Sequence, residues 1–302
     1  MRVAIGMFDG VHLGHQAVID RLVADARRET ARAVIITFDQ HPAAVVAPER
    51  APSLIQTLAQ RLRMFAVLGV DATWLIHFDR AFSEQSGEAF VRGLARDFGR
   101  LCAVYVGEQF HFGHRRSGNV QLLRQLGAEL GFATHAVAPF FQDGQIVSST
   151  RVRERIRTGD LHAVRRLLGR RYTLAGPVIT GDRLGRSLGF PTANLDVPRL
   201  VLPPQGVYMA TAQLPDWSGP AVVNLGVRPT LGTRESRLQV EAHLLDFTRE
   251  IGGTELELCF LAKLREEQRF PDLAALRLQI EADCRVARER YPALLAEAQP
   301  GP

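Results

Sequence analysis

Residues 3–15 read VAIGMFDGVHLGH, a short apolar strand followed by a glycine-rich turn and the start of a helix. In open α/β sheets, ligands bind at the carboxyl ends of strands, where turns of this kind lie. Glycine lets the backbone approach a triphosphate, and a helix N-terminus offers N–H groups to anionic oxygens. The stretch predicts an α/β fold with an anion-binding turn. A plain polar helix start is the alternative explanation for His12 and His15.

The pattern to about residue 168 alternates short apolar runs with amphipathic helical stretches, which is typical of a parallel sheet covered by helices. Runs at 34–38, 73–76 and 103–106 are interpreted as buried strands. Apolar residues recur between them at helical spacing: Val18, Leu22 and Ala26; Leu58, Leu62 and Phe65; Phe90, Leu94 and Phe98. We therefore expect a Rossmann-like α/β domain over residues 1–168.

After residue 171 the apolar period changes to two, as in β-strands. Strands are predicted at 172–180, 206–214, 221–227, 239–247 and 255–264, followed by one helix over 272–291 with Leu273, Leu276, Ile280 and Cys284 on its apolar face. A run of strands closed by one helix favours a small antiparallel barrel or sandwich. We expect a second domain over residues 169–302, with the boundary near Gly169.

Composition limits the functions open to the chain. It has 302 residues, a net charge of +5 and a single lysine, Lys263, so a Walker A phosphate-binding loop is excluded. The positive excess is too small to indicate nucleic acid as a partner. Three cysteines without CxxC spacing fit a reducing compartment. Because no signal peptide or long apolar span is present, we expect a cytoplasmic protein with no membrane partner.

A second polar segment, residues 146–153, reads IVSSTRVR and opens another helix with hydroxyl groups followed by guanidinium groups. A helix cap with solvated arginines is the simpler explanation. Taken together, HLGH at 12–15 and SSTRVR at 148–153 resemble the nucleotidyltransferase superfamily, which moves a nucleotidyl group from a nucleoside triphosphate to a phosphate.

Residues 37–42, 106–113 and 118–119 resemble the flavin adenylyltransferase branch of that superfamily. Met7, Gln40, Gln109 and His111 stand where that branch usually has Asn, Pro, Asp and Arg. The resemblance implies that His12 and His15 are catalytic. It also implies an ATP-binding set of Gly6, Phe8, Asp9, Gly14, Asn119, Ser149, Thr150 and Arg153.

Residues 181–194 read GDRLGRSLGFPTAN and resemble the riboflavin kinase signature nearly residue for residue. Glycines admit phosphates close to backbone N–H groups, and the hydroxyl of Thr192 and amide of Asn194 offer the oxygens that Mg²⁺ prefers. The predicted ATP-binding set is Gly181, Gly185, Arg186, Thr192 and Asn194, of which Thr192 and Asn194 are the metal ligands. The resemblance continues through residues 204–208, 224–230, 240–247 and 263–265.

Glu241 faces away from Val240 and Ala242 if residues 239–247 form a strand. Periodicity alone favours an exposed glutamate, whereas the kinase resemblance implies that Glu241 is the general base. Gly252 stands where the family commonly has tyrosine in an Asp-Leu-Tyr-Gly sequence.

Both signatures in this order resemble the bifunctional bacterial riboflavin kinase/FAD synthetase family. The resemblance implies two reactions: riboflavin and ATP give FMN, and FMN and a second ATP give FAD and pyrophosphate. The implied cofactor is Mg²⁺, and the implied partners are riboflavin, FMN, FAD and ATP. An oligomer is possible.

Two alternatives stay open. One is a single-activity adenylyltransferase with a non-catalytic flavin-binding β domain. The other is a basic flavin- or RNA-binding regulator, against which the intact His12, His15 and Glu241 and the lack of an RNA-binding motif argue.

Overall fold

The computed structural model describes residues 1–181, 185, 188–197, 199–228 and 237–296, apart from the side chains of 227–228 and 237–238. The chain forms two compact units, residues 1–152 and 153–302. The predicted domain boundary near Gly169 stays a prediction.

The first unit is built on a five-stranded parallel sheet in the order β3-β2-β1-β4-β7. Two short hairpins, β5-β6 and β8-β9, extend from it. The strands are β1 (Arg2–Ile5), β2 (Ala33–Phe38), β3 (Ala72–Ile76), β4 (Ala103–Gly107), β5 (His111–Phe112), β6 (Gly118–Asn119), β7 (Ala133–Val137), β8 (Phe141–Gln142) and β9 (Gln145–Ile146). This is the predicted Rossmann-like fold, which is confirmed.

Helices cover both faces of this sheet. The helices are α1 (Leu13–Arg28), α2 (Pro42–Val46), α3 (Leu58–Val67), α4 (Arg80–Ser83), α5 (Gly87–Asp97) and α6 (Val120–Leu130), and α7 (Ser149–Arg157) follows at the boundary of the two units. One core contains apolar residues of α1 and α3, and the other contains apolar residues of α5 and α6. The alternation of strand residues between these two cores explains why the strands are nearly continuous in apolar character.

The strand predicted at 73–76 is present as β3, but its predicted burial is wrong. In β3, Trp74 is 36% exposed and Leu75 is 39% exposed, because β3 lies at the edge of the sheet. Trp74 packs instead against Phe98, with 4.9 Å between ring centroids. An apolar run alone does not distinguish an edge strand from a central one.

The second unit is a closed antiparallel barrel in the order β10-β11-β14-β13-β12-β15, in which β15 returns to pair with β10. Its strands are β10 (Thr173–Ile179), β11 (Ala193–Leu195), β12 (Gly206–Leu214), β13 (Trp217–Arg228), β14 (Arg237–Leu244) and β15 (Glu255–Arg265). The choice between barrel and sandwich is therefore settled in favour of the barrel.

Two helices pack on the barrel. Helix α8 (Leu161–Leu168) contacts β15, and the long helix α9 (Leu273–Ala296) contacts β13 and β15. Cys284 and Ala287 of α9 pack with Met209 and Val222 in an apolar cluster outside the barrel. Leu273, predicted on the apolar face, is 57% exposed because it begins the helix. In the described part of the chain, every helix is too short or too polar to cross a bilayer.

Candidate functional site

The turn after β1 has an unusual backbone. Phe8, Gly10 and Val11 all have positive φ, at 50°, 82° and 38°. Two of these residues carry side chains that disfavour this region, so the surrounding structure must hold the turn in place. Phe8 is 3% exposed, and its ring lies beneath Gly6, where an added Cβ would come within 3.1 Å of it.

Asp9 anchors the turn to the segment that precedes α3. Its carboxylate accepts hydrogen bonds from the backbone N–H of Ile55 at 3.0 Å and of Gln56 at 3.4 Å. The Ser149 hydroxyl donates to the Asp9 carbonyl at 2.9 Å. The structure thus brings two predicted ATP-binding residues together and gives each a bond that shapes the turn.

The two predicted catalytic histidines lie face to face at the start of α1. Their rings stack with centroids 3.6 Å apart and planes 15° apart. His12 is the N-cap of α1, and its Nδ1 accepts from the His15 backbone N–H at 3.3 Å. Because Nδ1 acts as the acceptor, the ring proton of neutral His12 lies on Nε2, which makes that atom a hydrogen-bond donor. Gly14 keeps the turn narrow, since an added Cβ would lie 3.2 Å from the His12 ring.

The SST segment is more than a cap with solvated arginines. The Ser148 hydroxyl accepts from the Arg151 backbone N–H at 3.3 Å, and the Arg151 side chain donates to the Gln142 carbonyl at 2.9 Å, which ties the β8-β9 hairpin to α7. Arg153 is only 6% exposed, although it follows in the same helix. Thr150 is exposed.

Asn119 caps helix α6, where its Oδ1 accepts from the Leu122 backbone N–H at 2.9 Å. Of the residues that depart from the family pattern, Gln40 donates to the Phe78 carbonyl at 2.9 Å, and His111 Nδ1 lies 2.8 Å from the Gln109 carbonyl. The His111 contact is local in sequence, whereas the Gln40 contact joins two distant segments of the chain.

The first unit contains an aromatic cavity of about 540 Å³ at the carboxyl ends of β1 and β2. The sequence pattern does not predict this cavity. Six phenylalanines line it: Phe38, Phe78, Phe82, Phe90, Phe110 and Phe112. Arg80, Arg115 and Arg116 add positive charge to its wall. These residues come from separate stretches of the chain. Of the six phenylalanines, Phe38, Phe110 and Phe112 lie within motifs quoted from the sequence, and the other three do not.

The second site is a cavity of about 380 Å³ between the outer face of the barrel and α9. Strand register brings its polar residues side by side, because Asn194 of β11 pairs with Glu241 of β14, which pairs with Asn224 of β13. Val240 and Ala242 are buried at 1% and 0% exposure. Glu241 therefore projects away from the barrel interior, as predicted, and lines the cavity together with Asn194 and Thr192.

At this site, two of the predicted glycines lie so close to neighbouring residues that a side chain would not fit. An added Cβ at Gly181 would lie 2.1 Å from Asn194 Nδ2, and one at Gly185 would lie 2.4 Å from the Phe190 carbonyl oxygen. The Asn194 side chain therefore occupies the space that the missing side chain of Gly181 leaves open. Arg186 lies outside the described residues.

Thr192 also lines a second cavity of about 500 Å³ that includes Gly181, Phe247 and Arg249. Gly252 is in the wall of this cavity, and an added Cβ there would meet nothing within 4 Å. Gly252, which stands where the family commonly has tyrosine, therefore leaves open space at this position.

Other residues that shape the 380 Å³ cavity had no role assigned from the sequence. Arg265 of β15 forms an ion pair with Asp283 of α9 at 2.8 Å, which fastens the helix over the cavity. His243 Nδ1 lies 2.8 Å from the Pro191 carbonyl, directly before Thr192. Burial lowers the pKa of His243, so its imidazole is neutral at neutral pH.

Comparison with known proteins covers both units. Residues 1–151 match the family model described as FAD synthetase, and residues 168–291 match the one described as riboflavin kinase. A protein of Escherichia coli strain K12 named bifunctional riboflavin kinase/FMN adenylyltransferase is 36% identical over 291 residues, covering 96% of this chain and 92% of that protein. A protein of the same name from Pseudomonas fluorescens is 38% identical over 284 residues, covering 94% of this chain and 91% of that protein.

The chain belongs to the bifunctional riboflavin kinase/FMN adenylyltransferase family. The family resemblance inferred from the motifs is therefore confirmed. A crystal structure of a Streptococcus pneumoniae protein described as a macrolide-efflux protein has a TM-score of 0.81 with 26% identity, covering 95% of this chain and 93% of that chain. That likeness supports the fold of both units of this riboflavin kinase/FMN adenylyltransferase family member.

The contact between Gly181 and Asn194 gives a testable prediction for this family member. Gly181→Ala places a methyl group where the Asn194 amide lies, so we expect FMN formation to fall about tenfold as Asn194 is displaced. The measurement is the initial rate of FMN formation from riboflavin and ATP in Gly181→Ala, Asn194→Ala and the double variant. If the effect passes through Asn194, the double variant is no slower than Asn194→Ala alone. Additive losses would contradict this explanation.

Proposed function

We propose that the chain phosphorylates riboflavin to FMN with ATP in its C-terminal half and adenylylates FMN to FAD with a second ATP in its N-terminal half. Each half matches the family description for one of these reactions. The observation that carries the proposal is the register of the barrel, which lines up Asn194, Glu241 and Asn224 beside one cavity. Residues 1–168 and 169–302 are the proposed domains.

In the kinase half, riboflavin would occupy the 380 Å³ cavity with its 5′-hydroxyl at Glu241. Glu241 would accept the hydroxyl proton while the oxygen attacks the γ-phosphorus of ATP, and the bond from that phosphorus to ADP breaks. Thr192 lines both this cavity and the 500 Å³ cavity beside it, which supports binding of the nucleotide in the latter. Donor and acceptor would then meet at Thr192, as an in-line transfer requires.

The residues around Thr192 fit a magnesium ion. Thr192 and Asn194 present a hydroxyl and an amide oxygen to the same cavity, and hard oxygens are the ligands that Mg²⁺ prefers. Bound there, the ion would offset the negative charge of the transferring phosphoryl group. Gly181 and Gly185, and Arg186 outside the described residues, would bind the phosphates of ATP.

In the adenylyltransferase half, a phosphate oxygen of FMN would attack the α-phosphorus of ATP, and the bond to the departing pyrophosphate breaks. Nε2 of His12, placed as a donor by the bond at Nδ1, would stabilise charge that develops on the α-phosphate, together with His15. Gly6, Phe8, Asp9, Gly14 and Asn119 would form the ATP-binding turn and its surroundings. Ser149, Thr150 and Arg153 would hold the pyrophosphate.

The aromatic cavity suits the flavin of FMN. Its six phenylalanines provide a stacking and apolar surface for a planar ring system, and its position at the carboxyl ends of β1 and β2 is beside the turn that carries the histidines. The arginines in its wall favour a phosphorylated flavin over riboflavin.

The expected cytoplasmic location, the absence of nucleic-acid partners and the oligomeric state stay predictions. The proposal as a whole is tested by incubating the protein with riboflavin, ATP and Mg²⁺ and separating riboflavin, FMN and FAD by chromatography. We expect FMN to appear first and FAD to follow. A protein that makes FAD only from supplied FMN would instead be the single-activity adenylyltransferase with a flavin-binding barrel.

The histidines provide a prediction for the N-terminal half. His12→Ala or His15→Ala removes a donor aimed at the developing charge, so we expect FAD synthesis from FMN to fall roughly a hundredfold or more. FMN formation should persist in both variants. His162→Ala, which alters an exposed histidine of α8, is the matched control. Equal loss of both activities in the active-site variants would show that the site is wrongly assigned.

Glu241 provides the matching prediction for the C-terminal half. Glu241→Gln keeps the volume of the side chain but cannot take up a proton at neutral pH, so we expect kcat for FMN formation to fall about 10² to 10⁴ fold with little change in riboflavin KM. Glu255→Gln makes the same change at an exposed position of β15 and should leave the rate unchanged. Near-normal FMN formation by Glu241→Gln at saturating riboflavin would remove this residue from catalysis.

The domain boundary gives a prediction about fragments. If the boundary lies near Gly169, residues 169–302 alone should form FMN from riboflavin and ATP at a rate close to that of the full chain. The matched comparison is residues 153–302, which retain α8 with its buried Val164 and Leu167. If only the longer fragment is folded and active by circular dichroism and FMN assay, α8 belongs to the kinase domain and the predicted boundary is wrong.

A further inference from the structure

Arg61 is one of the largest fully buried side chains of the protein, with 2% exposure. It lies in the first turns of α3, and none of the sequence motifs includes it. A guanidinium group stays charged at any physiological pH, so its burial costs free energy unless polar groups surround it. Burial lowers the pKa of Arg61, and the charges of Asp9 and Asp39 oppose that effect. A buried cation of this kind requires an explanation.

The Arg61 guanidinium donates hydrogen bonds to two backbone carbonyls, and its Nη1 also lies 3.3 Å from the Met7 sulfur. Nη1 donates to the Met7 carbonyl at 2.6 Å, and Nη2 donates to the Phe38 carbonyl at 2.5 Å. Met7 follows the end of β1, and Phe38 is the last residue of β2. Because the two strands are parallel neighbours, one planar guanidinium joins the carboxyl ends of both.

The segment around Arg61 also holds the residues that follow Met7. We name the pair Ile55 and Arg61 the α3 clamp. Its Ile55 N–H binds the Asp9 carboxylate, and an added Cβ at Gly10 would lie 2.8 Å from the Ile55 side chain. The α3 clamp therefore contacts the turn at Met7, at Asp9 and at Gly10, on both sides of the positive-φ residue Phe8.

These contacts affect the charge of the site as well as its shape. Carbonyl oxygens at the carboxyl ends of β1 and β2 carry partial negative charge and would repel a triphosphate placed above them. Arg61 satisfies two of these oxygens and adds a full positive charge beneath the turn.

We propose that Arg61 is a positioning residue for adenylyl transfer, acting through the Met7 carbonyl to hold the turn that binds the ATP phosphates and presents His12. The proposal rests on the proposed FAD synthesis in this half of the chain. A positioning role and a purely structural role of Arg61 predict different results. A misplaced turn impairs the use of ATP much more than the binding of FMN in the aromatic cavity.

The test measures FAD synthesis from supplied FMN in the full-length protein with Arg61→Met and Arg61→Lys. Arg61→Met keeps the apolar stem but removes the guanidinium donors from the Phe38 and Met7 carbonyls, and the Met7 carbonyl keeps the longer bond from the Thr37 hydroxyl at 3.3 Å. We expect kcat/KM for ATP to fall about a hundredfold, because displacements near 1 Å cost about that much. The KM for FMN should change less than threefold. Arg61→Lys retains the charge without the two-pronged geometry, so its activity should lie between those of wild type and Arg61→Met.

The matched control is Thr57→Ala. Thr57 begins the same helix through a capping box with Gln60, so its loss destabilises α3 without removing a bond to Met7 or Phe38. Thr57→Ala should lower the thermal unfolding midpoint while retaining kcat/KM for ATP within about threefold. FMN formation, measured in every sample, reports on the other half of the chain.

Three outcomes would overturn the proposal: Arg61→Met with kcat/KM for ATP within threefold of wild type, an equal loss in Thr57→Ala, or an FMN KM in Arg61→Met that rises more than threefold. If Arg61→Met fails to fold, Arg61→Lys decides by the same criteria. A wild-type protein that makes no FAD from FMN and ATP would contradict the proposed function itself, which is a separate result.

Discussion

The pairing of Glu241 with Asn194 on one side and Asn224 on the other is the constraint on which the proposed kinase site depends. Side chains alternate along a strand, so a slip of one residue in β14 would bury Glu241 and expose Val240 and Ala242. The apolar character of those two neighbours opposes the slip. Closure of the barrel by β15 and β10 further fixes the register, because every strand then has two partners.

The N-terminal site depends on a strained backbone turn rather than on strand register. Its turn uses positive φ at Phe8 and Val11, which the sequence of the turn does not favour. Contacts from outside the turn hold it: the Asp9 carboxylate on the Ile55 N–H, Arg61 on the Met7 carbonyl and Ser149 on the Asp9 carbonyl. These contacts therefore stabilise the strained turn, and the turn leads into the stacked pair of histidines at the start of α1.

Features that depend on local pattern could be predicted from the sequence. The alternation in 255–264 indicated β15, and the glycine-rich turn with its histidines indicated the first site. Features that depend on distant contacts could not. Strand β11 has three residues, too few to show a period, and β3 resembles a buried strand although it lies at an edge. Arg61 reads as one more polar residue of an amphipathic helix, and only the fold shows what its guanidinium contacts.

We propose that one chain carries two chemically independent sites joined by a diffusible product, FMN. The direct measurement mixes His12→Ala with Glu241→Gln and follows FAD formation from riboflavin, ATP and Mg²⁺. Each variant alone should make little FAD, because one lacks the second reaction and the other lacks the first. The mixture should make FAD at a rate well above the sum of the two, since FMN released by His12→Ala is a substrate for Glu241→Gln. A mixture no faster than that sum, with both proteins folded, would contradict the account.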